Sequence, residues 1–274
     1  MKKVIFSQEQ LQDMIHKYQK ENYSTRQLGE YFGVSKTVIS RVLKENNIVL
    51  DHTNRKYQCD INIFENIDTA EKAYWLGFIA ADGCNYQRDI NASIVINIHR
   101  KDREHLEKFK KFVKGDSLQI IDHIQNQGFS NNTPMSKITI NSIKMSEDLS
   151  NIGVTPRKSL TLQPPKIDNN FALPYILGYF DGDGSIFQTK QNEFGISIEG
   201  TKETLEWINS ILNISNKLEK RRDNNTNNYY IRCGGIQKPY QILKQLYDSV
   251  DIHLDRKYEI FTILETVVFN RNIK

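Results

Sequence analysis

Long apolar runs are missing from this 274-residue sequence. A membrane-spanning helix needs about 20 consecutive apolar residues, so no span is expected. Lys2 and Lys3 are not followed by the apolar stretch of a secretory leader. Cysteine is scarce as well. Cys59, Cys84 and Cys233 are scattered, odd in number and form no CxxC pair. That argues against a disulfide framework or a cysteine zinc site and fits a reducing compartment. The expected location is the cytoplasm, in a bacterial or phage-infected cell.

What is present is ordinary for a globular chain: 38% hydrophobic and 26% charged residues. The length supports one large core plus a small appended domain. The formal net charge is +4 and is unevenly spread. Residues 1–58 hold ten Lys/Arg against six Asp/Glu, so the remaining 216 residues balance. Basic surface attracts phosphate backbones, and here only the N-terminal part has that bias.

The first 50 residues read as three short helices. Ser7 with Gln10 and Ser24 with Gln27 have the spacing of capping boxes, and Ser35 is placed to cap a third helix. Gly33 supplies a turn residue that tolerates positive φ. Leu28, Gly29, Gly33, Val34, Val38 and Val42 fit the spacing of a helix-turn-helix. Its third helix presents Lys36, Thr37, Ser40, Arg41 and Lys44 outward, residue types that reach base edges and phosphates in the major groove. Residues 51–62 are polar and read as a linker.

The rest of the chain repeats itself. Ala73-Tyr-Trp-Leu-Gly-Phe-Ile-Ala-Ala-Asp82-Gly83 is answered by Pro174-Tyr-Ile-Leu-Gly-Tyr-Phe-Asp-Gly-Asp183-Gly184, with the final aspartates 101 residues apart. Alternating isoleucines follow each copy, then a helix with Glu104 and Leu106 or Glu203 and Leu205. Arg157-Lys158 and Arg256-Lys257 close the two copies. Pro164-Pro165 joins them. Small residues at one-turn spacing (Gly77, Ala80 and Ala81; Gly178 and Gly182) let two helix backbones approach closely, at a cost in helix propensity. Asp68 and Glu71 are placed to cap the first of these helices. Two such helices side by side would end together, each in an aspartate. Paired carboxylates, free carbonyls such as those of Ala81 and Gly182, and the negative ends of two helix dipoles suit a hard divalent cation.

This pattern resembles the LAGLIDADG homing endonucleases in their single-chain, two-motif form, over roughly residues 63–274. The resemblance implies an α+β fold of two pseudo-symmetric αββαββα halves, 63–163 and 164–274, with saddle-shaped antiparallel sheets over the DNA. The all-α helix-turn-helix domain, 1–50, precedes them. It implies a monomer without an obligate protein partner that cuts double-stranded DNA at a long site. Asp82 and Asp183 would bind Mg2+ (or Mn2+), and Lys158 and Lys257 would lie near the scissile phosphates. The first motif departs from the pattern at Ala80, where the second has Asp181. A polar residue at the end of the third strand, common in the family, would be His99 or Glu199 here.

DNA contacts are expected from the strands after each motif: Asn85, Gln87 and Arg88 in the first copy, Ser185, Phe187, Gln188 and Lys190 in the second. Loop residues Arg221 and Arg222 are placed to reach flanking backbone. Three alternatives share the fold: a non-enzymatic transcriptional regulator, an RNA intron maturase and an intein. Regulators tend to lose the metal aspartates, a helix-turn-helix suits duplex DNA better than folded RNA, and flanking splicing sequence with a terminal His-Asn is not found.

Overall fold

A computed structural model describes residues 4, 6–21, 23–48, 50, 59–88, 91–126, 132–188, 193–215, 217–220 and 226–272. Of the sequence expectations, Lys190, Arg221, Arg222 and linker residues 51–58 lie outside them. The chain divides into two compact units, residues 1–59 with 114–118, and residues 60–113 with 119–274. Among the described residues no helix is long and apolar enough to cross a membrane.

In the first unit, α1 (Gln8–Gln19), α2 (Thr25–Tyr31) and α3 (Lys36–Glu45) surround a core of Met14, Tyr18, Leu28, Ile39, Val42 and Leu43. Both expected capping boxes form, with the Ser7 and Ser24 side chains each accepting from a backbone N–H three residues on. Ser35 stands at the N-cap of α3, yet its side chain makes no cap hydrogen bond. The tight turn forms instead from two glycines. Gly33 sits at φ +66°, and a Cβ added at Gly29 would lie 2.7 Å from the Val34 carbonyl oxygen. Lys36, Thr37, Arg41 and Lys44 are exposed on α3, and Ser40 is half-buried.

The second unit is α+β and contains the repeat. Its first half runs α4 (Ala70–Asp82), β1 (Gly83–Arg88), β2 (Asn91–His99), α5 (Arg103–Phe112), β3 (Ile120–Gln125), β4 (Thr133–Ile140) and α6 (Ile143–Ile152). The second runs α7 (Ala172–Asp183), β5 (Gly184–Gln188), β6 (Phe194–Gly200), α8 (Lys202–Leu212), β7 (Glu219–Lys220), β8 (Tyr229–Gly234), α9 (Gln237–Tyr247) and α10 (Asp255–Asn272). The two sheets share one antiparallel topology, β1-β2-β4-β3 and β5-β6-β8-β7. In each, one face carries buried isoleucines against the helices: Ile94, Ile96 and Ile98 in β2, Ile196 and Ile198 in β6. The expected cap of α4 is displaced by one residue: Thr69, not Asp68, accepts from Lys72 N, and Asp68 forms an ion pair with Lys72 at 2.7 Å.

The helices α4 and α7 are buried on nearly every side, with Ala73–Ala80 and Pro174–Asp181 inaccessible. Their seam is backbone on backbone. A Cβ added at Gly77 would lie 1.9 Å from Tyr175 O, and one at Gly178 would lie 1.9 Å from Tyr74 O. The contact is reciprocal at the same 101-residue offset that relates the two motifs.

Candidate metal and DNA site

The seam carries the two motif aspartates to one place. Gly182 meets the end of the other helix so closely that an added Cβ would lie 2.3 Å from Ala81 Cβ and 3.4 Å from the Asp82 carboxyl carbon. Asp82 therefore sits beside the residue that precedes Asp183. Asp82 is half-buried and Asp183 is open to solvent. Even so, crowding by surrounding protein and the neighbouring Asp82 carboxylate push Asp183 up to about 6. Burial also raises Asp82, against the pull of Lys257 and then Lys158. Two carboxylates that each disfavour the other's charge fit a cation placed between them. Among the described residues no group of three His, Cys, Asp or Glu side chains is placed to hold a metal. Any further ligands would come from carbonyls such as Ala81 O and Gly182 O, water and substrate phosphate.

The two lysines are buried, not solvated, and each caps the C-terminal end of a motif helix. Lys158 Nζ donates to Ala81 O at 3.0 Å. Lys257 Nζ donates to Phe180 O at 2.6 Å, Asp181 O at 2.7 Å and Gly184 O at 2.5 Å. An ammonium has three donors, so Lys257 has none left for a phosphate, whereas Lys158 keeps two. Burial depresses both lysines, Lys257 to about 8; Asp183 opposes the shift most at Lys158, and Asp181, ahead of Asp82 and Asp183, at Lys257. Among lysines, Lys257 acts most strongly on Asp82 and Lys158 on Asp183.

The halves differ in other ways. The Arg256 guanidinium makes two 3.1 Å bonds to Asp102 of the first half. Arg157, its counterpart, is exposed at φ +58° and makes no such pair among the described residues. Tyr179 OH donates to Glu199 O at 3.0 Å, and burial and then the nearby Asp183 carboxylate hold the phenol proton tightly. The first copy has Phe78 at that position.

The strand expectations need one clear correction. Asn85 does not face solvent. It is buried, and its Nδ2 donates toward Ser146 O, Ser150 Oγ and Val154 O at 2.9–3.1 Å, pinning β1 to α6. Gln87 shares that face and donates to Ser146 Oγ. The period-two alternation of a strand puts Cys84, Tyr86 and Arg88 on the open face instead. Ser185 and Phe187 do lie on the open face of the second sheet, and Gln188 is exposed on the other. The Phe187 ring covers Gly195, where an added Cβ would lie 2.2 Å from Cζ.

The open faces also hold residues that the sequence reading passed over. In the first sheet, Asn97 donates to Gln125 at 3.4 Å, and Lys137 is paired opposite Asn97. In the second, Arg232 is held by Glu219 at 3.1 Å and stacks over Tyr230. Only the strand register, which the sequence does not print, brings these side chains together. His99 Nδ1 accepts from Lys101 N and caps a short turn. Glu199 lies close enough to raise Asp183.

The chain is similar in structure to solved homing endonucleases. No family model and no curated protein matches it. The meganuclease I-SmaMI bound to uncleavable DNA with a TTCT central four is 14% identical, with 72% of this chain and 89% of that chain covered and a TM-score of 0.48. The I-LtrWI LAGLIDADG homing endonuclease bound to target DNA is 14% identical, with 78% and 93% covered and a TM-score of 0.47. The LAGLIDADG homing endonuclease I-GzeII in complex with its DNA target is 10% identical, with 71% and 89% covered and a TM-score of 0.48. Likenesses at this level decide nothing about activity; the functional reading rests on the residues described above.

Proposed function

We propose that this chain is a metal-dependent endonuclease of the homing type, which hydrolyses a phosphodiester bond in each strand of duplex DNA at a long recognition site. The observation that supports it most is the side-by-side placement of Asp82 and Asp183 at the ends of two helices packed backbone to backbone. Each aspartate is followed at once by the first strand of a sheet whose other face is polar and open.

Phosphodiester hydrolysis needs a nucleophilic water, an in-line approach and neutralisation of developing charge. A hard divalent cation, Mg2+ or Mn2+, supplies charge neutralisation and a more acidic water when bound. Asp82 and Asp183 hold it, with the Ala81 and Gly182 carbonyls at hand. Lys158 has two donors free for a phosphate oxygen. Lys257, with all three engaged, contributes positive charge to the site without a direct hydrogen bond. Side chains on the open faces, such as Tyr86, Arg88, Ser185 and Phe187, contact the major groove. The helix-turn-helix unit adds a second DNA contact through Lys36, Thr37, Ser40, Arg41 and Lys44. No protein nucleophile is required, and two carboxylate ends suit two strands.

The deciding experiment is incubation of the purified protein and Mg2+ with a library of long random duplexes, followed by sequencing of cut ends. Cleavage at one extended site is expected. Binding without any cutting would make the protein a regulator and overturn the nuclease reading.

A further inference from the structure

Asp181 is the acidic residue of the second motif that the site does not use. It is 2% exposed. Both of its hydrogen bonds fall on one oxygen: Oδ2 accepts from Tyr74 OH at 2.7 Å and from Leu254 N at 2.8 Å, while Oδ1 is buried without a partner. Tyr74 belongs to the first half, so one bond crosses the seam. Its hydroxyl also meets His105 Nε2 at 3.0 Å, which fixes it from behind. The other bond holds the residue that opens the last helix. Leu254 O accepts from Lys257 N at 3.0 Å and from Tyr258 N at 3.1 Å. Lys257 then returns to the Asp181 carbonyl through its ammonium. Tyr74, Asp181, Leu254 and Lys257 thus form one continuous run of hydrogen bonds from the first half to the site lysine of the second.

The first half has no such arrangement. Ala80 stands where Asp181 does. Tyr175, the counterpart of Tyr74, has a buried hydroxyl with no partner. Lys158 opens a short turn of three residues and makes one carbonyl contact in place of three.

We infer that Asp181 is a positioning residue for Lys257 alone, holding that lysine in place from across the seam, so that only one of the two strand cuts depends on it. The cleavage arm of this inference rests on the nuclease reading; the placement of Lys257 does not.

The test has two arms. In DNA-free, metal-free protein, lysines are reductively methylated and the modified positions are read by mass spectrometry. Lys158 and Lys257, both buried, are expected to be protected in the wild type. Asp181→Ala is expected to open Lys257 to modification and leave Lys158 protected. Asp181→Asn is expected to keep both protected, because one amide oxygen can accept both bonds that Oδ2 accepts. On a strand-labelled duplex target with Mg2+, Asp181→Ala slows the strand that Lys257→Ala slows, by about 10-fold or more, as misplacement of a site group does. The other strand stays within about 3-fold, and Asp181→Asn restores both.

A general loosening of the fold would slow both strands alike. Equal slowing of the strands, or Lys257 still protected in Asp181→Ala, overturns the inference. Should Asp181→Ala fail to fold, Tyr74→Phe removes the bond across the seam and is read the same way. If no target is cut by any form, the nuclease reading fails, while the methylation pattern still decides whether Asp181 holds Lys257.

Discussion

Gly77 and Gly178 each lie against a backbone carbonyl of the other's helix, at 1.9 Å from where a Cβ would stand. Backbone cannot retreat as a flexible side chain can, so alanine at either position must push the two motif helices apart. Gly77→Ala or Gly178→Ala is expected to destabilise the second unit by about 3 kcal/mol, at the upper end of overpacking costs. Urea denaturation measures this. A loss below about 1 kcal/mol would mean that the seam is looser than described. Cleavage should fail in these variants even where the fold survives, because Asp82 and Asp183 would no longer meet.

Asp183 carries a pH signature. Its folded value of about 6 lies above the ordinary 3.8. A raised acid holds its proton longer in the folded chain than in the unfolded one, so its contribution to stability is present at low pH and is lost as pH rises through about 6. Asparagine cannot ionise. Without metal, Asp183→Asn should therefore match the wild-type melting temperature near pH 4 and exceed it above pH 7. Groups distant from Asp183 titrate in both forms and cancel in the difference, whereas Asp82 and the site lysines lose their interaction with it in the variant. The gain will be modest, since solvent screens an exposed carboxylate. A variant less stable than wild type at pH 7.5 would show that the carboxylate is not a source of repulsion.

The same repulsion predicts a response to cations. Ca2+ or Mg2+ should raise the melting temperature of the wild type above pH 7, by mass action on the folded state. Asp82→Asn and Asp183→Asn should each lose most of that rise together with double-strand cleavage. Equal cation-induced shifts in wild type and both variants would place the metal elsewhere.

Asn85 is polar in sequence yet buried in the fold, and its role is structural. Asn85→Ala removes a buried amide with three backbone and hydroxyl partners and leaves Ser146 Oγ without its acceptor. A loss of about 2–3 kcal/mol is expected, with base preference unchanged. Tyr86 and Arg88, on the opposite face, should behave in reverse: Arg88→Ala alters DNA affinity and leaves the melting temperature alone.

Exposed cations on α3 should set part of the salt dependence. Each phosphate contact adds about 0.9 to the slope of log affinity against log salt. Replacing Lys36, Arg41 and Lys44 by alanine should lower that slope by up to about 3, without changing the positions of cut ends. An unchanged slope would take the first unit out of DNA binding.

Much of this was legible in the sequence, for physical reasons. The Ser-x-x-Gln boxes are local, and both formed as read. The spaced glycines announced two helices in close contact, and the repeat announced that their aspartates would meet. What could not be read depends on distant partners. A strand's two faces are equivalent in sequence until something covers one, and Asn85 is polar yet turned inward because α6 and the residues just after it offer three acceptors. The lysines were expected near phosphate, but their burial beneath the helix ends follows from the far ends of each repeat folding back over 70 residues later. Glu219 and Arg232 belong to strands whose pairing no local pattern reveals.

The seam has a final consequence for redesign. On the nuclease reading, the two points of scission are spaced by helix backbones in direct contact, while recognition is distributed over two sheets built independently of each other. Exchanging side chains on those sheets would redirect the enzyme to another sequence. The stagger between the two breaks would stay as it is, because no residue on either sheet sets it.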